Sequence, residues 1–396
     1  MQPPLRSRAA ALPLLAVALA FAVSVPAGAQ KNEVPKRPRL AADADTNNAQ
    51  SYYRFGLRQI TKRPREAADA FYWASRIAPP WADPYYGRAV ALVLADRSRL
   101  VRYLTGDKRV LASKEVAVID SLYYAAYARN PWLVSRLDFH IYEEFVSQIT
   151  GGEAVGLYRG GTGDPGLDGW LAYMQGNHAK AIRYFATALK RDPEKLGFHV
   201  ERARSFAALA AADSALVEMN KALEKMRELK KDQLEHAFES MAMFEHSVAQ
   251  LHVQAGHDSL AREAYERALT TDLSFYAAHA ALGDLAMRQG DTATAVQEYT
   301  QAVALRPDDA GLQAGLALAL IAANRAVEAV QALERAIELE PYFAHPYFLL
   351  ARLLDHSGFL DEALVKYDEF MQRAPMDMPE REWTQARAAT LRAPAP

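Results

Sequence analysis

The sequence predicts an all-α fold: a solenoid of stacked helix-turn-helix units closed by a C-terminal capping helix. Three observations predict it. Columns of residues recur every 34 positions, apolar and small residues recur within each period at spacings of three and four, and each period carries two helix-stopping residues at fixed places.

The columns are explicit. Pro307, Pro341 and Pro375 are 34 residues apart, as are Gly256, Gly290, Asn324 and Gly358. The same period links Ala261, Ala295, Ala329 and Ala363, then Tyr265, Tyr299, Leu333 and Tyr367, then Ala268, Ala302, Ala336 and Phe370. We number each unit from 1 to 34, with units starting at Tyr276, Ala310 and Ala344. Positions 4, 7, 8 and 11 are mostly apolar or small, and positions 20, 24 and 27 form a second stripe. Such spacings place residues on one face of a helix. Position 15 is Gly or Asn, which tolerates the left-handed backbone that ends a helix. Position 32 is Pro, which cannot continue one. Asp258, Asp291 and Asp361 stand near the start of each second helix, where a carboxylate is expected to cap free amides.

These residues resemble the tetratricopeptide repeat (TPR) family. Its pattern has an aromatic at position 4, Leu-Gly at 7 and 8, Ala at 20, an aromatic at 24, Ala at 27 and Pro at 32. Leu282-Gly283, Ala295, Tyr299, Ala302 and Pro307 match it, and His279 at position 4 departs from it. The resemblance implies a right-handed α-solenoid that binds protein or peptide partners in a concave groove lined by the first helix of each unit. Gly or Ala at 8, 20 and 27 lets two helices approach closely, while the aromatic at 24 fills the space between units.

The frame extends upstream. Units are expected at 49–82, 162–195 and 196–229, with four regular units over 242–377. The stretch 49–161 reads as irregular N-terminal repeats. Its second unit starts at Asp83, but the closing columns Ile119, Tyr123, Ala126 and Pro131 lie 17 residues late, so an insertion is inferred around 97–114. Leu133 to Ile149 reads as an extra amphipathic helix, Gly151 to Gly166 as a loop, and 230–241 as a break that extends a helix. Residues 378–396 read as capping helix and tail: Asp377-x-x-Glu380 has the form of a capping box, and Trp383 is the main apolar anchor. A terminal repeat leaves an apolar face that such a helix covers.

The N-terminus reads as an address. Arg6 and Arg8 precede an apolar run from Ala9 to Val25 and an A-x-A site at Ala27-Gly28-Ala29, the three-part pattern of a cleaved secretory signal over 1–29. The expected mature protein is exported, periplasmic or secreted, with no integral membrane segment. Residues 30–48 are poor in apolar side chains and read as a flexible lead-in. Asp43-x-Asp45-x-Asn47 imitates the opening of a calcium loop, but Asn48 and Arg54 stand where its Gly and bidentate Glu belong. The chain has 396 residues, no cysteine and a formal net charge of -2. That excludes disulfides and thiolate metal sites, and it argues against a polycation built to coat nucleic acid.

No catalytic or cofactor constellation is legible. Histidines at i, i+3 or i, i+4 are missing, as are G-x-S-x-G, S-x-x-K and a phosphate loop with its Lys. Gly160 to Gly166 reads as a loop, and Asp164 in it would repel an anion. The expectation is a non-catalytic scaffold with no cofactor and no metal. In the TPR frame, positions 2, 5, 9, 12 and 13 face the groove. The candidate partner-binding residues are Trp170, Tyr173, Arg204, His246, Gln250, Gln254, Asp284, Arg288, Phe348, Arg352 and His356, with Asp355 beside them. Their mix of Arg, Gln, Asp and His suits hydrogen bonding to a peptide segment. They lack the paired Lys and Asn of grooves that clamp the C-terminal carboxylates of chaperones.

Two further readings stay open. Of 39 aromatics, 23 lie between Tyr52 and Phe198. Tyr53, Trp73, Trp81, Tyr85, Tyr124, Trp132, Trp170 and Tyr173 fall outside the core columns, and they are read either as extra core or as a surface for a glycan or an aromatic-rich peptide. An enzymatic reading would place a site in 83–161, around Asp138, His140 and Glu143.

Overall fold

The computed structural model describes residues 34–96, 113–133, 140, 162–228 and 240–393. The expected signal and most of the 97–114 insertion, the 133–149 helix and the 230–241 break lie outside the described residues. The described residues form seventeen α-helices and no strand. They fall into two compact units, one built from residues 60–68 and 85–272, the other from 34–59, 69–84 and 273–396.

The helices come in pairs: α1 (Ala49–Gln59) and α2 (Pro64–Ile77); α3 (Ala82–Ala95) and α4 (Lys114–Arg129); α5 (Pro165–Met174) and α6 (His178–Arg191); α7 (Leu196–Ala208) and α8 (Ala212–Glu228); α9 (Met241–Gln254) and α10 (Asp258–Thr271); α11 (Tyr276–Gln289) and α12 (Thr292–Leu305); α13 (Ala310–Ala322) and α14 (Ala326–Leu339); α15 (Ala344–His356) and α16 (Leu360–Arg373). A final helix, α17 (Glu380–Arg392), stands alone. Within the second unit α12 packs on α13, α14 on α15, and α16 on α17, which is the contact order of a solenoid.

Local chemistry explains the pairing. Gly256, Gly290 and Gly358 adopt φ of 76°, 75° and 85°, and Asn324 takes φ 58° in the same role, so each first helix ends in a left-handed turn. Gly283 lets the two helices of its pair touch: a Cβ there would stand 2.7 Å from the Tyr299 ring, inside van der Waals contact. Gly169 does the same against Phe185. The Ala columns at 261, 268, 295, 302, 329, 336 and 363 are fully buried, as are Tyr265 and Tyr367. Each large ring removed from water there contributes about 1.5–3 kcal/mol.

The structure corrects several local expectations. Only Asp291 caps its helix, accepting from the Thr294 amide at 3.1 Å. Asp258 and Asp361 sit inside the first turn instead, where a carboxylate still complements the helix dipole. The capping box of α17 is not formed. Pro379 precedes the helix without a side-chain cap, and Asp377 accepts from the Asn48 side-chain Nδ2 at 3.2 Å. The lead-in is not a loose tether from residue 34 on. Residues 35–48 lie against α1, α2 and the loops around Pro341 and Pro375, held by polar bonds, by Arg37 against aromatic rings and by Leu40 packed on the Tyr52 cluster.

Helix α17 covers the last pair, but Trp383 is not its buried anchor. Thr384 and Ala388 are the buried residues, while Trp383 is 45% exposed and meets Phe348 and Tyr367 edge-on. Arg387, which interrupts the apolar arc, makes a two-armed pair with Asp355 at 2.8 and 2.6 Å. Arg387 thereby holds the Asp355 carboxyl below its ordinary range, while partial burial opposes it.

Candidate partner-binding surface

The first helix of each pair carries the candidate groove, and its character differs between the two units. In the first unit much of that face is covered by the chain itself. Tyr127 on α4 donates to the Met243 carbonyl at 2.6 Å and lies 2.5 Å from the Ser247 hydroxyl. Trp132 donates its indole N–H to the Ser247 carbonyl at 3.2 Å. His246 is therefore fully buried between the Tyr127 and Tyr265 rings, not presented to a partner. Burial drives its pKa down to about 3, so it stays neutral. The same burial pushes the Tyr127 hydroxyl above its ordinary value.

Tyr173 is a second correction. It is buried with Leu171, Met174 and Phe185, and Trp170 packs half-buried against the same cluster. Arg204 is part-buried and bonds Glu201 at 3.2 Å. Gln250 is half-buried and Gln254 is exposed. Several of the other aromatics outside the columns also join the interior. Trp73 and Trp132 are buried, and Tyr53 and Trp81 pack against a core of Tyr52, Trp73 and Ile77. Asp138 and Glu143 of the enzymatic reading lie outside the described residues, and His140 is half-buried.

In the second unit the face is covered at positions 2 and 5, where Ala277, Ala314 and Phe348 are buried, and open further along each helix. At position 9, Asp284, Leu318 and Arg352 are all exposed, and at position 13 so are Arg288, Ala322 and His356. Asp284 accepts the Tyr299 hydroxyl at 2.5 Å, and Arg352 lies over the Phe348 and Trp383 rings. Phe348 is buried beneath α17, so it supports the end of the stack and is not displayed.

Position 4 holds what the sequence reading missed. In place of aromatics, four successive pairs carry His199, Glu245, His279 and Gln313. His199 and His279 each meet a Glu at position 23, Glu218 and Glu298, both at 2.8 Å. Burial opposes ionisation of Glu218, but bonds from His199, Arg202 and Lys221 outweigh it and hold its carboxyl below the usual range. Glu245 is held by Arg227 at 2.8 Å and Arg267 at 2.9 Å. The signal was available as a His-Glu spacing of 19 residues. Gln313 borders a shallow cleft of about 290 Å³ lined by Val296, Thr300, Leu320, Arg325 and Glu328. Among the described residues no group of three His, Asp or Glu side chains is placed to hold a metal ion. Among them, too, no helix is long and apolar enough to cross a membrane.

Tetratricopeptide-repeat family models match residues 168–228, 249–310 and 286–341. Together these matches span less than half of the chain. No curated protein matches the chain. Among solved structures, the chain is similar to the C-terminal part of a TPR repeat-containing protein from Cytophaga hutchinsonii, at 19% identity over 52% of this chain and 78% of that one, TM-score 0.45. It is similar to YrrB, a TPR protein with an unusual peptide-binding site, at 17% identity over 51% of this chain and 97% of that one, TM-score 0.40. It is also similar to the Cut9–Hcn1 hetero-tetramer of the APC/C, at 14% identity over 87% of this chain and 76% of that one, TM-score 0.41. TPR proteins generally bind protein or peptide partners.

Proposed function

We propose that this protein is an exported, non-catalytic TPR scaffold that holds a protein or peptide segment along the open face of α11, α13 and α15. One observation carries the reading. Positions 9 and 13 of these helices give a charged row (Asp284, Arg288), an apolar row (Leu318, Ala322) and a second charged row (Arg352, His356), all exposed. An apolar centre between charged flanks suits a partner segment with apolar side chains in the middle and charged ends. Export rests on the N-terminal pattern at 1–29, and the mature chain is expected to begin at Gln30.

The test is site-specific photo-crosslinking in the native envelope, with the crosslinker at Leu318 and a control at the exposed Glu334. A partner captured at 318, not at 334, and lost when Arg288 and Arg352 become Glu is the expected result. Equal capture at both positions defeats the proposal. Cell fractionation with N-terminal sequencing checks the address.

A further inference from the structure

Arg37 belongs to no repeat, yet it occupies a built site. Its guanidinium carbon lies 5.2 Å from the Tyr52 ring centre, 5.1 Å from Trp73 and 5.6 Å from Tyr342. Its Nε donates to the Tyr52 hydroxyl at 2.6 Å, and a terminal nitrogen donates to the Thr46 carbonyl. Tyr52 and Trp73 are buried, while Tyr342, from the loop after Pro341, closes the third side edge-on to Trp73 at 5.0 Å. Three rings around one guanidinium form a cation–π box. Neither oxygen that receives Arg37 is a carboxylate, so the box reads a planar cation through faces and neutral acceptors.

The neighbours of Arg37 are also read. Trp73 donates its indole N–H to the Pro35 carbonyl at 3.0 Å, and Leu40 packs against the cluster of Tyr52, Trp73 and Ile77. Lys36 and Arg39, on either side of Arg37, are exposed. The contacts thus select Pro35, Arg37 and Leu40 from the run Pro35-Lys36-Arg37-Pro38-Arg39-Leu40. An aromatic groove whose Trp N–H bonds a peptide carbonyl beside a proline is the physics of proline-rich peptide recognition. Pro38 limits the freedom the segment loses on docking.

We propose that the Tyr52–Trp73–Tyr342 box is a binding site for an arginine-centred, proline-flanked peptide, and that this chain's own residues 34–40 are its built-in ligand. The docked segment ties the first helix pair to the C-terminal loops. Asn47 continues the tie to the Gln372 carbonyl at 2.7 Å, and the Met376 amide bonds Asp45 at 2.7 Å. Arg76 pairs with Glu340 beside the box. A partner segment of the same chemistry enters only by displacing the resident one.

The test uses the full chain and its Arg37→Ala variant, with helicity checked by circular dichroism. In the parent chain the Arg39–Leu40 bond is expected to resist trypsin. Arg37→Ala is expected to speed its cleavage by about ten-fold, the scale of a partly desolvated cation–π contact. A synthetic peptide spanning residues 34–41 is then titrated against both chains by tryptophan fluorescence. It is expected to bind the variant about ten-fold more tightly than the parent, and a peptide with Ala at position 37 is expected to lose that binding. Unchanged trypsin protection in the variant, or equal binding of the two peptides, overturns the proposal. Neither readout involves the face at Leu318, so this result and the crosslinking result stand separately.

Discussion

Helices α9 and α11 are copies of one repeat position, yet the chain seals the start of the α9 face more deeply than that of α11. On α9, position 5 is His246, sealed beneath Tyr127 and Trp132. On α11, position 5 is Ala280, only partly buried, and Asp284 at position 9 is exposed where Gln250 of α9 is half-buried; position 13 is exposed on both, as Gln254 and Arg288. The repeat register sets which side chains point outward from a pair. It does not set whether the chain returns to cover them, because that depends on residues over a hundred positions away.

The largest expected effect falls on the covered face. Trp132→Ala removes a buried ring and its bond to Ser247, and equilibrium denaturation should show a loss of about 3–5 kcal/mol. Next comes pH. Burial depresses the His246 pKa in the fold, so protonation in the unfolded state favours unfolding once pH falls below about 6.5. The contribution is fully present above that pH. It is lost toward pH 3 at up to about 1.4 kcal/mol per pH unit. His246→Phe should remove this component, which a pH series of melts on both proteins will measure. Tyr127→Phe keeps the ring but leaves the Met243 carbonyl and the Ser247 hydroxyl without it, for a loss of about 1–3 kcal/mol. The smallest effect belongs to the open face: Arg288→Ala and His356→Ala should each stay within about 0.5 kcal/mol of the parent while weakening partner capture.

Much of the fold was legible because its determinants are local. The Gly and Asn at position 15, the Ala at 20 and 27 and the ring at 24 each act on neighbours within one period. Less of the surface was legible, and three residues show why. His246 looked polar and outward, but its burial comes from Tyr127 on a helix that ends far earlier in the chain. Arg387 looked like a flaw in the cap until Asp355, 32 residues earlier, supplied its partner. Arg37 sat in a segment too polar to suggest order, and its box needs Tyr342 from the far end of the sequence. The polar residues at position 4 differ in kind. Their His-Glu spacing is local, and the TPR template's aromatic at that position drew the eye away from it.

The chain has no cysteine, so single thiols report exposure without background. The decisive measurement is the rate of maleimide labelling of Ser247→Cys on the covered face against Leu318→Cys on the open one, with the native protein at neutral pH. Ser247 is 2% exposed and Leu318 38%. The account predicts rapid labelling at 318 and labelling at least about 100-fold slower at 247, limited by local opening. Equal rates at the two positions would contradict it.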